Sequence, residues 1–266
     1  MAWSRIAAIA EKEVHEALRN RYVLMLLITL PIAFAALPVV SLLSIRGLPA
    51  SPPSETSRGL PPALARRLAG LSPREQLEVF LTSQFMLILW IAPLALPMTI
   101  ATYSVVGEKR EKALEPLLAT PVTTAELLAG KALAAAAPGI ALSGLTYLLM
   151  VGAAGIIGLS APAFRVLWGP TAWLQVLGIS PLLTLLATLL GLSVSSRVND
   201  PRLAEQIGMI VVLPLLGLII AQSMGVLWLS GTLLLGVALF LLTADGLLLA
   251  LAVALFERET ILTRWR

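Results

Sequence analysis

Residues Gly107 to Lys131 read Gly-Glu-Lys-Arg-Glu-Lys-Ala-Leu-Glu-Pro-Leu-Leu-Ala-Thr-Pro-Val-Thr-Thr-Ala-Glu-Leu-Leu-Ala-Gly-Lys. Five charged side chains, Glu108, Lys109, Arg110, Glu111 and Lys112, stand in a row. On either side the chain turns apolar for more than about 20 residues, enough for a helix to cross a bilayer. The island therefore sits at a membrane surface and presents charge and leucines to whatever meets it there. The fold is decided by the two runs that flank it and by the runs beyond them.

The chain is 58% hydrophobic and 13% charged, where a soluble domain is about a quarter charged. Mean hydropathy is +0.91. Apolar residues are gathered into runs, which excludes an ordinary soluble domain. Six runs reach spanning length: residues 21–45, 81–106, 132–159, 173–194, 206–225 and 232–256. The expectation is an all-α membrane protein with six transmembrane helices and a single domain over residues 1–266. Trp228 to Gly231 is all that parts the last two runs. It predicts either a tight hairpin or a re-entrant pair of half helices, the latter allowed by Pro214 and Gly217. The first run is too long for a signal-peptide core. With no cysteine, disulfides, thiolate metal sites and thiol nucleophiles are excluded.

Basic residues orient the chain. Thirteen Lys and Arg lie on the side of the N-terminus, the island, residues 195–205 and the C-terminal tail, and six on the other. Positive charge favours the cytoplasm, so both termini and the island are expected inside a cell membrane and the loop 46–80 outside. The net charge of +4 is read as this asymmetry, and nucleic acid is not an expected partner.

Helix starts are written into the chain. Ser72-Pro73-Arg74-Glu75 and Thr123-Thr124-Ala125-Glu126 are capping boxes that start helices leading into the second and third spans. Asn199-Asp200-Pro201 starts the fifth. Pro93, Pro97, Pro138 and Pro181 lie within spans and predict kinks. Residues 3–19 are amphipathic, with Ile6, Ile9, Val14 and Leu18 near one face and Glu11, Lys12, Glu16 and Arg19 on the rest. This predicts an interfacial helix ahead of the first span. Residues 63–71 predict one short outer helix ended by Gly70.

Enzyme signatures are missing. The single histidine, His15, has no second ligand at zinc-protease spacing. Gly130-Lys131 lacks the earlier glycine and the following hydroxyl of a phosphate loop. Asp245 is the one ionisable side chain well inside a run, and a carboxylate there costs about 2.5–3.5 kcal/mol on insertion scales. Two readings stay open. Asp245 and Gln84 form a polar site in a transport path, or Asp245 bonds a neighbour such as Gln84 across helices.

The island itself encodes a short helix from Glu108 to Glu115, with Leu114, Leu117 and Leu118 beside it and turns at Pro116 and Pro121. A plain solvated loop would need none of this. Tyr103 to Lys131 resembles the cytoplasmic segment of type-2 ABC export permeases, where Glu-Lys-(Arg/Glu)-x-Gly-Thr-Leu-Glu-x-Leu-Leu-x-(Thr/Ser)-Pro joins the second and third spans. This chain has Lys112-Ala113 where the family often has Gly-Thr. Glu11-Lys12-Glu13, with Leu18 to Arg21 after it, is similar to the family's amphipathic connecting helix. Phe256 to Arg264 is similar to its C-terminal tail. Within the family the chain is most similar to single-domain bacterial and archaeal permeases, sodium-extrusion-like ones included.

The resemblance implies a permease domain over the whole chain, coupling ATP hydrolysis by a separate ATPase subunit to efflux. It implies a coupling helix made of Glu108, Lys109, Arg110, Glu111, Lys112, Leu114, Glu115, Leu117 and Leu118, docked on that ATPase. ATP would be bound by the partner, with no cofactor in this chain, and two permeases would pair as a homodimer or heterodimer. The competing class is a stand-alone secondary transporter or channel, which would carry more intramembrane charge or inverted repeats.

Overall fold

The computed structural model describes residues 2–47, 62–110, 123–198 and 200–255. Within them the chain is helical, and one isolated bridge between Ala69 and Leu71 is its only β pairing. The helices are α1 (Ala2–Arg19), α2 (Arg21–Gly47), α3 (Pro62–Arg67), α4 (Pro73–Ile88), α5 (Ala92–Arg110), α6 (Thr124–Ile157), α7 (Ala161–Trp168), α8 (Pro170–Trp173), α9 (Ser180–Ser195), α10 (Pro201–Gly208), α11 (Val212–Ser223) and α12 (Gly231–Leu255). Short irregular turns join α4 to α5, α8 to α9 and α10 to α11 without interrupting the rod. Six stretches are long and apolar enough to cross a membrane: Val23–Ser44, Pro73–Gly107, Ala125–Ile157, Ala161–Ser195, Pro201–Ser223 and Gly231–Ala254.

Both capping boxes form. The Ser72 hydroxyl accepts from Glu75 N at 3.3 Å while Glu75 accepts from Ser72 N at 2.8 Å. Thr123 and Glu126 repeat the exchange at 3.2 and 2.9 Å. Each box satisfies amides that a helix start leaves open. Asp200 caps α10 by accepting from Arg202 N at 2.8 Å, with Pro201 following it.

The irregular turns follow the prolines. Pro93 would clash with the carbonyl four residues back, and there the helix tightens to a 3₁₀ turn at Leu89–Ile91. Pro214 has the same relation to the 3₁₀ turn Met209–Val211. Pro181 sits just past a π-helical turn at Leu174–Ile179, which meets the clash by widening. Pro97 and Pro138 stay inside continuous α5 and α6.

The second and fourth spans form the centre. Their most apolar windows are 67% and 61% buried, against 17% for the first, fifth and sixth. Leu87, Trp90, Leu94 and Met98 of the second span meet Ile179, Leu183 and Ala187 of the fourth. The two approach closely at Gly191, whose added Cβ would lie 2.9 Å from Ala101 Cβ. Such small-residue contacts bring membrane helices together where no hydrophobic force does.

The fourth span departs from the reading of the sequence, and the join of the fifth and sixth takes one of the two forms it allowed. The hydropathy pattern starts the fourth span at residue 173, but helix begins at Ala161, because α7 packs its buried Ala163 and Leu167 against the bundle beside α4. The fifth and sixth spans join as a hairpin, closed at Gly225 with φ +72°. The single outer helix predicted over 63–71 is the short α3, followed by Gly70 with φ +108°.

Candidate functional site

The island's flanks are both visible. Glu108, Lys109 and Arg110 lie at the end of α5, and Thr123 starts the approach to α6. The side chains of those three residues are outside the described residues. So are Glu111, Lys112, Leu114, Glu115, Leu117 and Leu118, and the tail from Phe256.

What the structure places between the two flanks is α1. Its inward face carries Ile6, Ile9, Glu13 and Ala17, spaced by three and four residues as one helix stripe requires. Ile9 seats on Gly130 so closely that a Cβ there would lie 2.6 Å from Ile9 Cγ2. Glycine at 130 is what admits α1 to the surface of α6.

One turn along, a carboxylate, a hydroxyl and an ammonium close on one another. Lys131 Nζ donates to Glu13 Oε1 at 2.5 Å and to Ser104 Oγ at 2.7 Å. Ser104 Oγ donates to Glu13 Oε2 at 2.6 Å. Three helices, α1, α5 and α6, are tied by one ring of charge-assisted bonds. Lys131 and Glu13 are 2% and 4% exposed, so water screens the pair little. Burial pushes the Glu13 carboxyl up, and the Lys131 ammonium and its hydrogen bond outweigh that, holding it below the ordinary 4.5. A second, more exposed pair joins Arg5 to Glu126 at 3.6 Å, of the kind worth at most about 1 kcal/mol.

Sequence reasoning misses this ring. Glu13 enters it only through family resemblance, and Lys131 counts there as one more inward-side charge. The available signal is a carboxylate in register with Ile6 and Ile9, on the face of an amphipathic helix that ought to be apolar.

Beside the ring, an open polar cleft of about 670 Å³ lies between α5 and α10, lined by Tyr103, Arg202, Glu205, Gln206 and Met209. Glu205 is held there by the Thr99 hydroxyl at 2.5 Å. Asp245 and Gln84 are both buried, and the carboxylate of one and the amide of the other have no hydrogen-bond partner among the described residues. The cross-helix bond between them is therefore not formed. Asp245 lies on the stripe of α12 that holds Leu234, Leu241 and Ala252, all buried.

No curated protein matches the chain. A family model described as "ABC-2 family transporter protein" matches residues 68–226. The match takes in more than half of the chain, from the second span through the fifth with the island between them, and so the chain belongs to the ABC-2 transporter family.

Proposed function

We propose that the chain is the membrane subunit of an ATP-driven exporter in which residues 107–131 dock the ATPase and α1 moves with them. Membership of the family makes it a multi-pass membrane transport subunit, with ATPase activity on another subunit. The observation that carries the finer reading is the Glu13–Ser104–Lys131 ring. It ties α1 to the two helix ends between which the island is strung. A push on the island then reaches the second and third spans through a braced base. The cleft beside Glu205 is the candidate cargo entrance, with both termini on that side and two permeases around the path.

The test is the complex of permease and ATPase reconstituted in membranes. Glu115→Ala with Leu118→Ala is expected to leave the permease inserted while weakening ATPase binding or uncoupling hydrolysis from transport. Arg66→Ala with Arg67→Ala, on α3 at the far end, is expected to do neither. Full assembly and full substrate-stimulated hydrolysis by the first variant would reduce the island to an orientation signal.

A further inference from the structure

A second cavity opens at the end of the bundle away from α1. It holds about 320 Å³ and lies between α4, α7, the π-helical turn and the hairpin that joins α11 to α12. Its polar lining is Ser83, Arg165, Thr171, Gln175 and Ser230, with Trp228 at the hairpin. No carboxylate lines it.

The bonding state of each group narrows the ligand. Ser83 is engaged, donating to Phe80 O at 2.7 Å and accepting from Gln222 Nε2 at 3.1 Å. Ser230 is engaged with Thr232 and Leu233 N. Arg165 is exposed and has no ion pair among the described residues. Glu78, the acid on neighbouring α4, is already taken by Arg74 Nε at 3.2 Å and Ser160 N at 3.0 Å. Gln175 is 4% exposed, gives Nε2 to Thr171 O at 3.3 Å, and keeps Oε1 buried with no donor among the described residues. It belongs to the π-helical turn, a distortion that recurs at functional sites.

A ligand matching this lining brings an anion for the Arg165 fork. It also brings apolar surface for Met86, Val166 and Leu229, which line the rest. The volume is in the range of small-molecule sites, and a tryptophan at the rim is typical of headgroup depth. From this we infer that the cavity is a binding site for the phosphate headgroup of an anionic lipid. The site depends on neither the coupling reading nor the orientation of the chain.

The full chain is purified into phosphatidylcholine nanodiscs doped with phosphatidylglycerol, and retained lipids are counted by native mass spectrometry. Wild-type chain is expected to retain phosphatidylglycerol over phosphatidylcholine, and Arg165→Gln to lose about tenfold of that preference. Arg165→Lys, which keeps the charge, is expected to restore most of it, and Arg66→Gln to leave it intact. Arg165 is exposed, so its variants test the site without unfolding the bundle. Equal retention by wild type and Arg165→Gln overturns the site. Displacement of the lipid by free glycerol phosphate at equal concentration overturns the lipid as its source.

Discussion

Two sets of polar side chains are buried in this bundle, and their surroundings differ. At the base, Glu13, Ser104 and Lys131 saturate one another across three helices. Deeper in the spans and towards the far end, Gln84, Gln175, Gln222 and Asp245 hold buried atoms with no partner among the described residues. An unpartnered buried polar group costs about 1–3 kcal/mol, and a charged one more. A closed ring fixes helices in one arrangement. Open groups are a standing cost that a ligand, water or partner chain would relieve. The contrast separates a brace from surfaces that await company.

The largest expected effect comes from opening the ring. Glu13→Ala removes the carboxylate that faces the buried Lys131 ammonium and is expected to destabilise the bundle by about 3–5 kcal/mol. Glu13→Leu combined with Lys131→Met removes both charges and is expected to recover most of that loss. Thermal unfolding of the four combinations in one detergent decides it. If the single variant unfolds like wild type, the brace is not one.

Crowding the seat of α1 ranks next. Gly130→Leu puts side-chain atoms where Ile9 now lies, and overpacking of this kind costs about 1–3 kcal/mol. The chain has no cysteine, so Ala10→Cys supplies its only thiol, on α1. That thiol is expected to label faster in the Gly130→Leu background. An unchanged rate would mean that α1 holds its place without the close approach.

Acid should loosen the same contact. Because the Glu13 carboxyl is held below 4.5, its contribution is fully present above that value and is lost as the pH falls below it through the folded-state titration. A polarity-sensitive dye on the thiol of the Ala10→Cys variant is expected to stay in its neutral-pH state down to the ordinary value of 4.5 and to change below it. In the background of Glu13→Leu with Lys131→Met, the dye should ignore pH. A response that persists there would assign the change to another group.

The smallest effect is expected at Asp245. Asp245→Asn removes a buried carboxyl that has no partner among the described residues, so stability should hold or rise by about 1 kcal/mol. That is opposite in sign to Glu13→Ala in the same thermal assay. A loss of stability would reveal a partner for the carboxylate and would erase the contrast.

Much of this architecture is readable before any coordinates. Six spans announce themselves by length. Ser72 and Thr123 declare their helices through local chemistry that spans only four residues. The irregular turns are half legible: prolines say that a helix must yield near Leu89 and Leu177, but not whether it tightens or widens. The α7 segment is hidden because Pro162 and Gly169 bracket it closely, and punctuation of that density reads as loop. The Glu13–Lys131 contact is illegible for a different reason. The two residues are 118 positions apart, and no periodicity on α1 tells which later helix will supply the counter-charge. Arg165 is likewise invisible as a site residue, since its meaning depends on the hairpin at Trp228 that closes the cavity with it.

That separation of 118 positions also sets a clock. The chain is made from its N-terminus at about 5–20 residues per second. Once Glu13 has been synthesised, roughly 6–24 s pass before Lys131 exists at all. Throughout that interval α1 has no seat, since Gly130 is also unmade, and its carboxylate must remain in water. The first two spans are therefore made before the helix that precedes them can be fastened. At this corner of the bundle, α1 is made well before the glycine and the lysine that seat it.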